Sequence, residues 1–240
     1  SGNGNTLLTD GARDVTMDQS DSIADSSLFL PRTVLDERSY MYCNAGDGLL
    51  NGFDAEKDNS FTVACWLRVD EVRYREGPFS FGKSIGVRFG GTDSSGNTVT
   101  TENKIYYGDS GYMEQSPSAG AGWLGKSRWV HFALMYDSGK AAAGEVCYTL
   151  FTNGVVASSA AGKNSGLLHP SGAFHLGRGA YIGAQTLKSA YDDVVILKGA
   201  SAEDVKKLYG WRRGAHEATG STGVLPEDTD DRYKQNVHCG

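Results

Sequence analysis

Three stretches of this sequence match motifs that carry out catalysis or hold nucleotides in other proteins. Residues 120–127, GAGWLGKS, fit the pattern GxxxxGK[ST] of a phosphate-binding loop. That site needs a buried strand before the loop and a helix after it, because loop amides and the helix N-terminus hold the phosphate together. Here the preceding residues are polar, and the following residues alternate as a strand does. We therefore predict that no nucleotide is bound at this loop.

Two further stretches place a serine in a nucleophile-like setting. Residues 82–86, GKSIG, spell a nucleophile elbow, which must lead into a helix to expose its serine. The residues that follow, IGVRF, alternate as a strand, so we predict a hairpin turn. Residues 108–111, GDSG, resemble a serine-protease segment, but no supporting histidine and aspartate motif accompanies them. Neither stretch predicts a catalytic serine.

Carboxylates spaced along one strand face would indicate cleavage of a glycosidic bond. Asp54, Glu56 and Asp58 have that spacing. They lie in a polar turn ahead of an apolar strand, so we interpret them as a solvated acidic turn. The same stretch fails as an EF-hand loop, because Asn59 and Cys65 stand where the loop needs glycine and glutamate.

The composition limits the class of protein. The chain has 240 residues, of which 39% are hydrophobic, and it carries 32 glycines and a formal net charge of −6. This suits one all-β domain with many short strands joined by turns. The acidic balance and the lack of a basic run argue against a nucleic-acid partner. No apolar run reaches membrane-spanning length, so no membrane insertion is expected, and the first residues show no signal-peptide pattern.

The four cysteines do not have the spacing of a zinc or redox site. Cys65 and Cys147 lie inside apolar strand patterns, where buried thiols are at least as well supported as a disulfide. Cys239 ends a polar tail. A disulfide that ties this tail back, with the pairing among Cys43, Cys65, Cys147 and Cys239 left open, is a hypothesis.

Alternating apolar and polar residues predict short, half-buried strands. The predicted strands are 27–30, 61–69, 79–81, 85–89, 129–136, 148–152, 155–161, 173–176, 181–183 and 193–197. Asn153-Gly154 predicts a type I′ turn, because both of its central residues need positive φ. Residues 90–125 are polar and are predicted to be loop-like. A single helix is predicted between Ser201, its N-cap, and Gly210, its end.

The order of these signals resembles the laminin-G-like members of the concanavalin A-like lectin/glucanase superfamily. The resemblance is carried by residues 59–67, 127–137, 150–157, 176–178 and 191–197 with the helix that follows. It implies an all-β fold, a jelly-roll sandwich of two antiparallel sheets with one short C-terminal helix. The domain would occupy residues 39–211, between a leading segment, 1–38, packed on it or extending from it, and a polar tail, 212–240.

The resemblance also implies a function, because domains of this kind mostly bind glycans or extracellular proteins. We expect a non-catalytic glycan-binding module, secreted or at the cell surface, that could be part of a larger multidomain protein. The alternative is a protein-adhesion or structural module of a surface or viral assembly. A second alternative is a glycoside hydrolase or lyase on the same scaffold.

The candidate ligand-binding residues are aromatic and polar side chains of the loop-like region and of the segment expected across from it. Flat aromatic faces stack on sugar rings, while arginine binds the hydroxyls. The set is Tyr106, Tyr107, Tyr112, Trp123, Arg178 and Tyr181.

No cofactor is required, but many relatives hold calcium through oxygen ligands from scattered loops. Asp47 and Asp192 are therefore the candidate ligands of a structural calcium ion. The competing interpretation, which we favour, is that Asp192 caps neighbouring backbone amides. His131 lies on a predicted strand, where a packed role is favoured over catalysis.

Overall fold

Strands form most of the structure. The computed structural model describes residues 8–9, 16–18, 27–30, 41–43, 60–72, 76–81, 85–92, 98–99, 105–109, 114–116, 122–125, 128–162, 174–179, 187–199 and 201–210. In chain order the strands are β1 (Leu8–Thr9), β2 (Thr16–Asp18), β3 (Ser27–Leu30), β4 (Met41–Cys43), β5 (Phe61–Glu71), β6 (Phe79–Phe81), β7 (Ile85–Phe89), β8 (Gly91–Thr92), β9 (Thr98–Val99), β10 (Ile105–Asp109), β11 (Glu114–Ser116), β12 (Trp129–Tyr136), β13 (Val146–Thr152), β14 (Val155–Ala161), β15 (Phe174–Leu176) and β16 (Lys188–Lys198). The helices are α1 (Ser138–Ala142) and α2 (Ala202–Gly210).

Two seven-stranded antiparallel sheets build the sandwich. Sheet A has the order β1-β4-β15-β6-β7-β10-β11, and sheet B has the order β14-β13-β12-β5-β16-β3-β2. The short pair β8-β9 forms a separate ribbon. The fold is therefore a two-sheet jelly roll, as the sequence predicts.

The main core lies between the two sheets. On β5 the side chains of Phe61, Val63, Cys65, Leu67 and Val69 all enter this core, because alternate residues of a strand share one face. Sheet A contributes alternate apolar residues of β6, β7, β10 and β15 to the same core. Several of the largest side chains in the core are fully buried aromatic rings, and each contributes about 1.5–3 kcal/mol through burial.

A second, smaller core lies on the outer face of sheet B, beneath α2. Ala64 and Ala133 are small enough to let the helix approach, and Val205 and Leu208 of α2 fill the space above them. Ser201 caps this helix through a 3.3 Å hydrogen bond from the Asp204 N–H. Beside the helix, the Tyr209 ring packs against Trp66 and His131 at centroid distances of 5.9 and 5.8 Å.

The hairpin between β13 and β14 turns at Asn153-Gly154. The two residues have φ of 51° and 72°, as a type I′ turn requires. The Asn153 side-chain oxygen accepts the His131 N–H at 3.0 Å, and the Asn153 N–H donates to the His131 carbonyl at 2.8 Å. The turn is thereby fixed to β12 as well as to its own strands.

The stretch that resembles a phosphate-binding loop closes one part of the sandwich. Residues 122–125 form a turn, and β12 follows at Trp129 where a phosphate site would need a helix. The Trp123 ring packs against Phe89 of sheet A and Phe132 of sheet B, at 5.9 and 5.7 Å. The described part of this stretch, residues 122–125, is therefore a structural turn.

The structure confirms most of the predicted strands and corrects three points. The region predicted to be loop-like contains β8 to β11, because short strands can form from polar sequence when neighbouring strands supply the pairing. The last strand begins at Lys188 and not at Asp193, since a bulge between Asp192 and Val195 interrupts its alternation. The five-residue helix α1 was not predicted. Residues 181–183 lie outside the described ranges.

Candidate functional site

Strand alternation places Tyr106 and Arg88 together on the outer face of sheet A. Val87 and Phe89 on β7, and Ile105 and Tyr107 on β10, are buried in the core, so the residues between them point the other way. Tyr106 and Arg88 are direct partners in the β7-β10 register. Their side chains are both half-buried.

The two side chains form a cation–π pair. The Arg88 guanidinium carbon lies 4.4 Å from the centroid of the Tyr106 ring. Such pairs contribute about 0.5–1 kcal/mol at exposed sites, and cross-strand pairing holds both groups on rigid backbone. Tyr106 is therefore an oriented aromatic ring beside a fixed group of hydrogen-bond donors.

A row without bulky side chains runs beside this pair across three strands. Ser80, Gly86 and Gly108 are successive partners on β6, β7 and β10, and all three are buried. The Ser80 hydroxyl has no hydrogen-bond partner among the residues that the structure describes, and its side chain is fully buried. A buried hydroxyl without a partner is uncommon.

Arg178 follows β15 and lies where the backbones of neighbouring strands come close. The Gly177 N–H donates to the Pro78 carbonyl at 2.7 Å. A Cβ on Gly77 would stand only 2.7 Å from the Gly179 Cα, so the two segments approach closely because both residues are glycine. Arg178 is half-buried at this end of sheet A.

Tyr107 and Trp123 do not belong to an exposed site, and their prediction as ligand-stacking rings is corrected here. Their exposed fractions are 1% and 3%, and both lie in the main core. The Tyr107 hydroxyl is 2.5 Å from the Ser158 Oγ, which joins β10 of sheet A to β14 of sheet B. A ring enclosed by core side chains has no face for a sugar.

Three predicted site residues, Tyr112, Tyr181 and Asp47, lie outside the described ranges. The structure therefore brings Tyr106 to the outer face of sheet A and places Arg178 at the end of that sheet. Arg88 was missed by the sequence analysis, although it is the one charged residue in the strand IGVRF. The pairing of that strand with the strand of Tyr106 is the signal that would have identified Arg88.

Asp192 caps the backbone, as the favoured interpretation predicts. One of its carboxylate oxygens accepts the Asp193 N–H at 2.8 Å, and Asp193 has φ of 46° in the bulge of β16. In the parts of the chain with described positions, no three histidine, cysteine or acidic residues come close enough to hold a metal ion.

His131 is 2% exposed and packs in T-shaped geometry on Trp66, with ring centroids 5.5 Å apart. This is the packed role predicted for it. Cys65 and Cys147 are both buried thiols, and the Cys147 sulfur accepts the Gly162 N–H at 3.1 Å. Burial raises the pKa of the Cys65 thiol well above its ordinary value.

The other two motifs that match catalytic sequences, residues 82–86 and 108–111, have structural roles in the part that the structure describes. In the motif at 82–86, Ile85 and Gly86 belong to β7, which pairs antiparallel with β6 and places Ile85 opposite Phe81; residues 82–84 lie outside the described ranges. Residues 108–109 belong to β10. The acidic turn at 54–58 lies outside the described ranges. Among the helices that are described, none is long and apolar enough to cross a membrane.

Solved structures with this fold include one domain of an arabinanase and two domains named as binding domains. Domain 4 of AbnA, a GH43 extracellular arabinanase from Geobacillus stearothermophilus, was solved with arabinotriose; it is 17% identical, with a TM-score of 0.54, over 85% of this chain and 87% of that one. The binding domain of Paraclostridial mosquitocidal protein 1 is 14% identical, with a TM-score of 0.53, over 87% of this chain and 48% of that one.

The third is the binding domain of botulinum neurotoxin DC, solved in complex with rat synaptotagmin II. It is 12% identical, with a TM-score of 0.56, over 87% of this chain and 47% of that one. The chain thus spans about half of each toxin binding domain. At these identities the likeness shows the fold alone. No curated protein matches the sequence.

A family model gives the classification that the structural likeness cannot. The model of the laminin-G type, described as concanavalin A-like lectin/glucanases superfamily, matches residues 40–205. This range contains both strands of the Tyr106–Arg88 pair and most of the strands of the two sheets. The chain therefore belongs to this laminin-G-type family of the concanavalin A-like lectin/glucanases superfamily.

Proposed function

We propose that this chain is a non-catalytic extracellular module that binds a glycan on the outer face of sheet A, at Tyr106 and Arg88. The observation that carries the proposal is the half-buried Tyr106 ring held 4.4 Å from the Arg88 guanidinium on paired strands. A flat ring suits the apolar face of a sugar, and guanidinium N–H groups suit its hydroxyls. The module needs no cofactor for this contact.

A further observation supports a sugar ligand. The arabinanase domain, which spans a similar length with the same fold, was solved in complex with arabinotriose. An extracellular location, secreted or at the cell surface, follows from the proposal as its natural setting.

A binding role is favoured over hydrolysis by the burial of Glu76, an acid paired with β7. Hydrolysis needs two carboxyl groups that face the substrate, about 5–9.5 Å apart. Glu76, which pairs with Phe89 and lies just before β6, is 0% exposed. A carboxylate enclosed in this way does not face a ligand on the outer surface.

Glycan-array binding by the purified chain tests the proposal, followed by titration of the best ligand. Tyr106→Ala is expected to weaken binding by about tenfold or more, because it removes the stacking face. Arg88→Ala should weaken it as well, through lost hydrogen bonds and lost support of the ring. Both side chains are half-buried at the surface of the sheet, so the variants should stay folded.

The adjacent Tyr107 offers a matched control. Tyr107→Phe changes a ring one residue away that faces the core, so it should leave glycan affinity unchanged. Absence of binding to any glycan would contradict the proposal and favour protein adhesion. Release of sugar from a polysaccharide substrate would contradict the non-catalytic part.

A further inference from the structure

Sheet B ends in an open edge strand with exposed apolar side chains. β14 is the last strand on one side of this sheet, and the described segments place no strand beyond it. Val155 and Val156 on β14 are 69% and 54% exposed, and Val146 on the neighbouring β13 is 50% exposed. An edge strand presents backbone N–H and C=O groups that can pair with another chain.

This edge lacks most of the features that keep sheet edges from pairing. Natural edge strands usually carry lysine, proline or inward-facing charges. Residues 146–162 contain no charged residue and no proline, although 22% of the whole chain is charged. Two irregularities interrupt the ladder between β14 and β13: a bulge at Ala157, between the pairs Val156–Phe151 and Ser158–Leu150, and a register shift between the pairs Tyr148–Ala160 and Val146–Ala161.

We propose that β14 pairs with β14 of a second copy of this chain, antiparallel about a two-fold axis, to form one continuous sheet. With a net charge of −6, two copies repel each other over most of their surfaces, and a charge-free edge is where they can approach most closely. The contact is self-complementary, because antiparallel pairing sets the two-valine end of one strand toward the alanine end of the other.

The length of the edge predicts how strong the contact is. Regular pairing with β13 extends only over Ser158 to Ala160, and the two valines lie beyond the bulge. This is less than the roughly 800 Å² per partner that a standard stable interface buries. The dimer is therefore weak and forms as the concentration rises, for example when many copies are held together on one surface.

Dimerisation by this edge has a geometric result for the proposed glycan site. A two-fold axis perpendicular to the joined sheet leaves sheet A of both copies on the same side. The two Tyr106 faces would then point the same way and could bind one multivalent surface together. The edge pairing itself does not depend on what Tyr106 binds.

Sedimentation velocity over an about hundredfold range of concentration tests the proposal. The wild-type chain is expected to shift from monomer to dimer. Ser159→Lys places a charge at an exposed position in the regular part of the edge, where it meets its own copy, and should weaken dimerisation by about tenfold or more. Ala142→Lys adds the same charge at an exposed position on α1 and should dimerise as the wild type does.

Hydrogen exchange on the wild-type chain provides a readout that needs no variant. The amides of Ser158 to Ala161 should exchange more slowly as the concentration rises, while the amides of α2 stay unchanged. A chain that is monomeric at every concentration would overturn the proposal and favour pairing of this edge with a strand of another protein. A dimer that Ser159→Lys does not weaken, or that Ala142→Lys weakens equally, would also overturn it.

Discussion

Tyr106 and Tyr107 are neighbours in sequence with opposite surroundings. One ring is half-buried on the outer face of sheet A, and the other lies in the core with its hydroxyl 2.5 Å from the Ser158 Oγ. That hydrogen bond joins the two sheets near the open edge of sheet B. The pair separates the proposed binding role from stability, because each tyrosine can be changed without altering the surroundings of the other.

We predict that Tyr107→Phe lowers the free energy of unfolding by about 1 kcal/mol, because the cross-sheet hydrogen bond is lost while the ring remains. Urea denaturation of the variant and the wild type measures the difference. Ser158→Ala should cost a similar amount, and the double variant should cost less than the sum of the two. Full additivity would show that the two hydroxyls do not stabilise the fold through each other.

The buried thiol of Cys65 should make stability depend on alkaline pH. Its folded-state pKa is raised by burial, so the unfolded chain loses this proton first as the pH rises. The contribution of Cys65 is therefore fully present below its unfolded pKa of about 8.5–9 and declines above it. Tyr191, whose pKa burial also raises, adds a second decline above about pH 10.

We predict that Cys65→Ala flattens the loss of stability between about pH 8 and pH 10. The variant will be less stable at neutral pH, because a core side chain is shortened, so the slope against pH is the quantity to compare. Denaturation curves at several pH values measure it. An unchanged slope would show that ionisation of Cys65 in the unfolded chain does not cause the loss of stability at alkaline pH.

At the scale of elements, the β13–β14 hairpin and α2 are interlocked. A Cβ on Gly154 would stand 2.6 Å from the Tyr209 Cδ1, so the turn fits under the helix because it has no side chain there. Tyr209 in turn packs on Trp66 and His131. The turn, β12 and the helix therefore stabilise one another.

We predict that Gly154→Ala lowers the free energy of unfolding by about 2 kcal/mol or more, from positive φ and from displacement of Tyr209. Gly144→Ala is the matched control, since Gly144 has the same φ of 72° with nothing within 4 Å of its Cβ position. It should show the backbone cost alone, about 1–2 kcal/mol. Thermal melts of both variants measure the difference, and equal losses would exclude a role for the Tyr209 contact.

The sequence predicted elements well where a segment carries its own signal. β5 alternates clearly, β12 is an apolar run with the same period, and Asn153-Gly154 requires a turn of one type, which predicts β14 as the returning strand. β10 was hidden in polar sequence, because its pairing with β7 determines its conformation. The same difficulty affected the candidate site, because Tyr107 and Trp123 could not be assigned to the core without knowing the alternation of β10 and the packing of the turn at 122–125.

At the scale of the whole molecule, the fold joins segments that are far apart in sequence. β3 pairs with β16 through Leu30 and Ser189, and β4 pairs with β15 through Met41 and Leu176. Each sheet is thus completed by contacts between the early and the late parts of the chain. If copies also pair through β14, as we propose, sheet B would continue across two molecules.

This strand order has a consequence for the time course of synthesis. β3 and β4 can pair with β2 and β1, which precede them in the chain, but the strands that join them to the rest of each sheet do not exist until the chain reaches Leu176 and Ser189. The hairpins from β12 to β14 can form meanwhile, since their partners are close in sequence. β3 and β4 therefore join the rest of their sheets late, when the hairpins from β12 to β14 can already have formed.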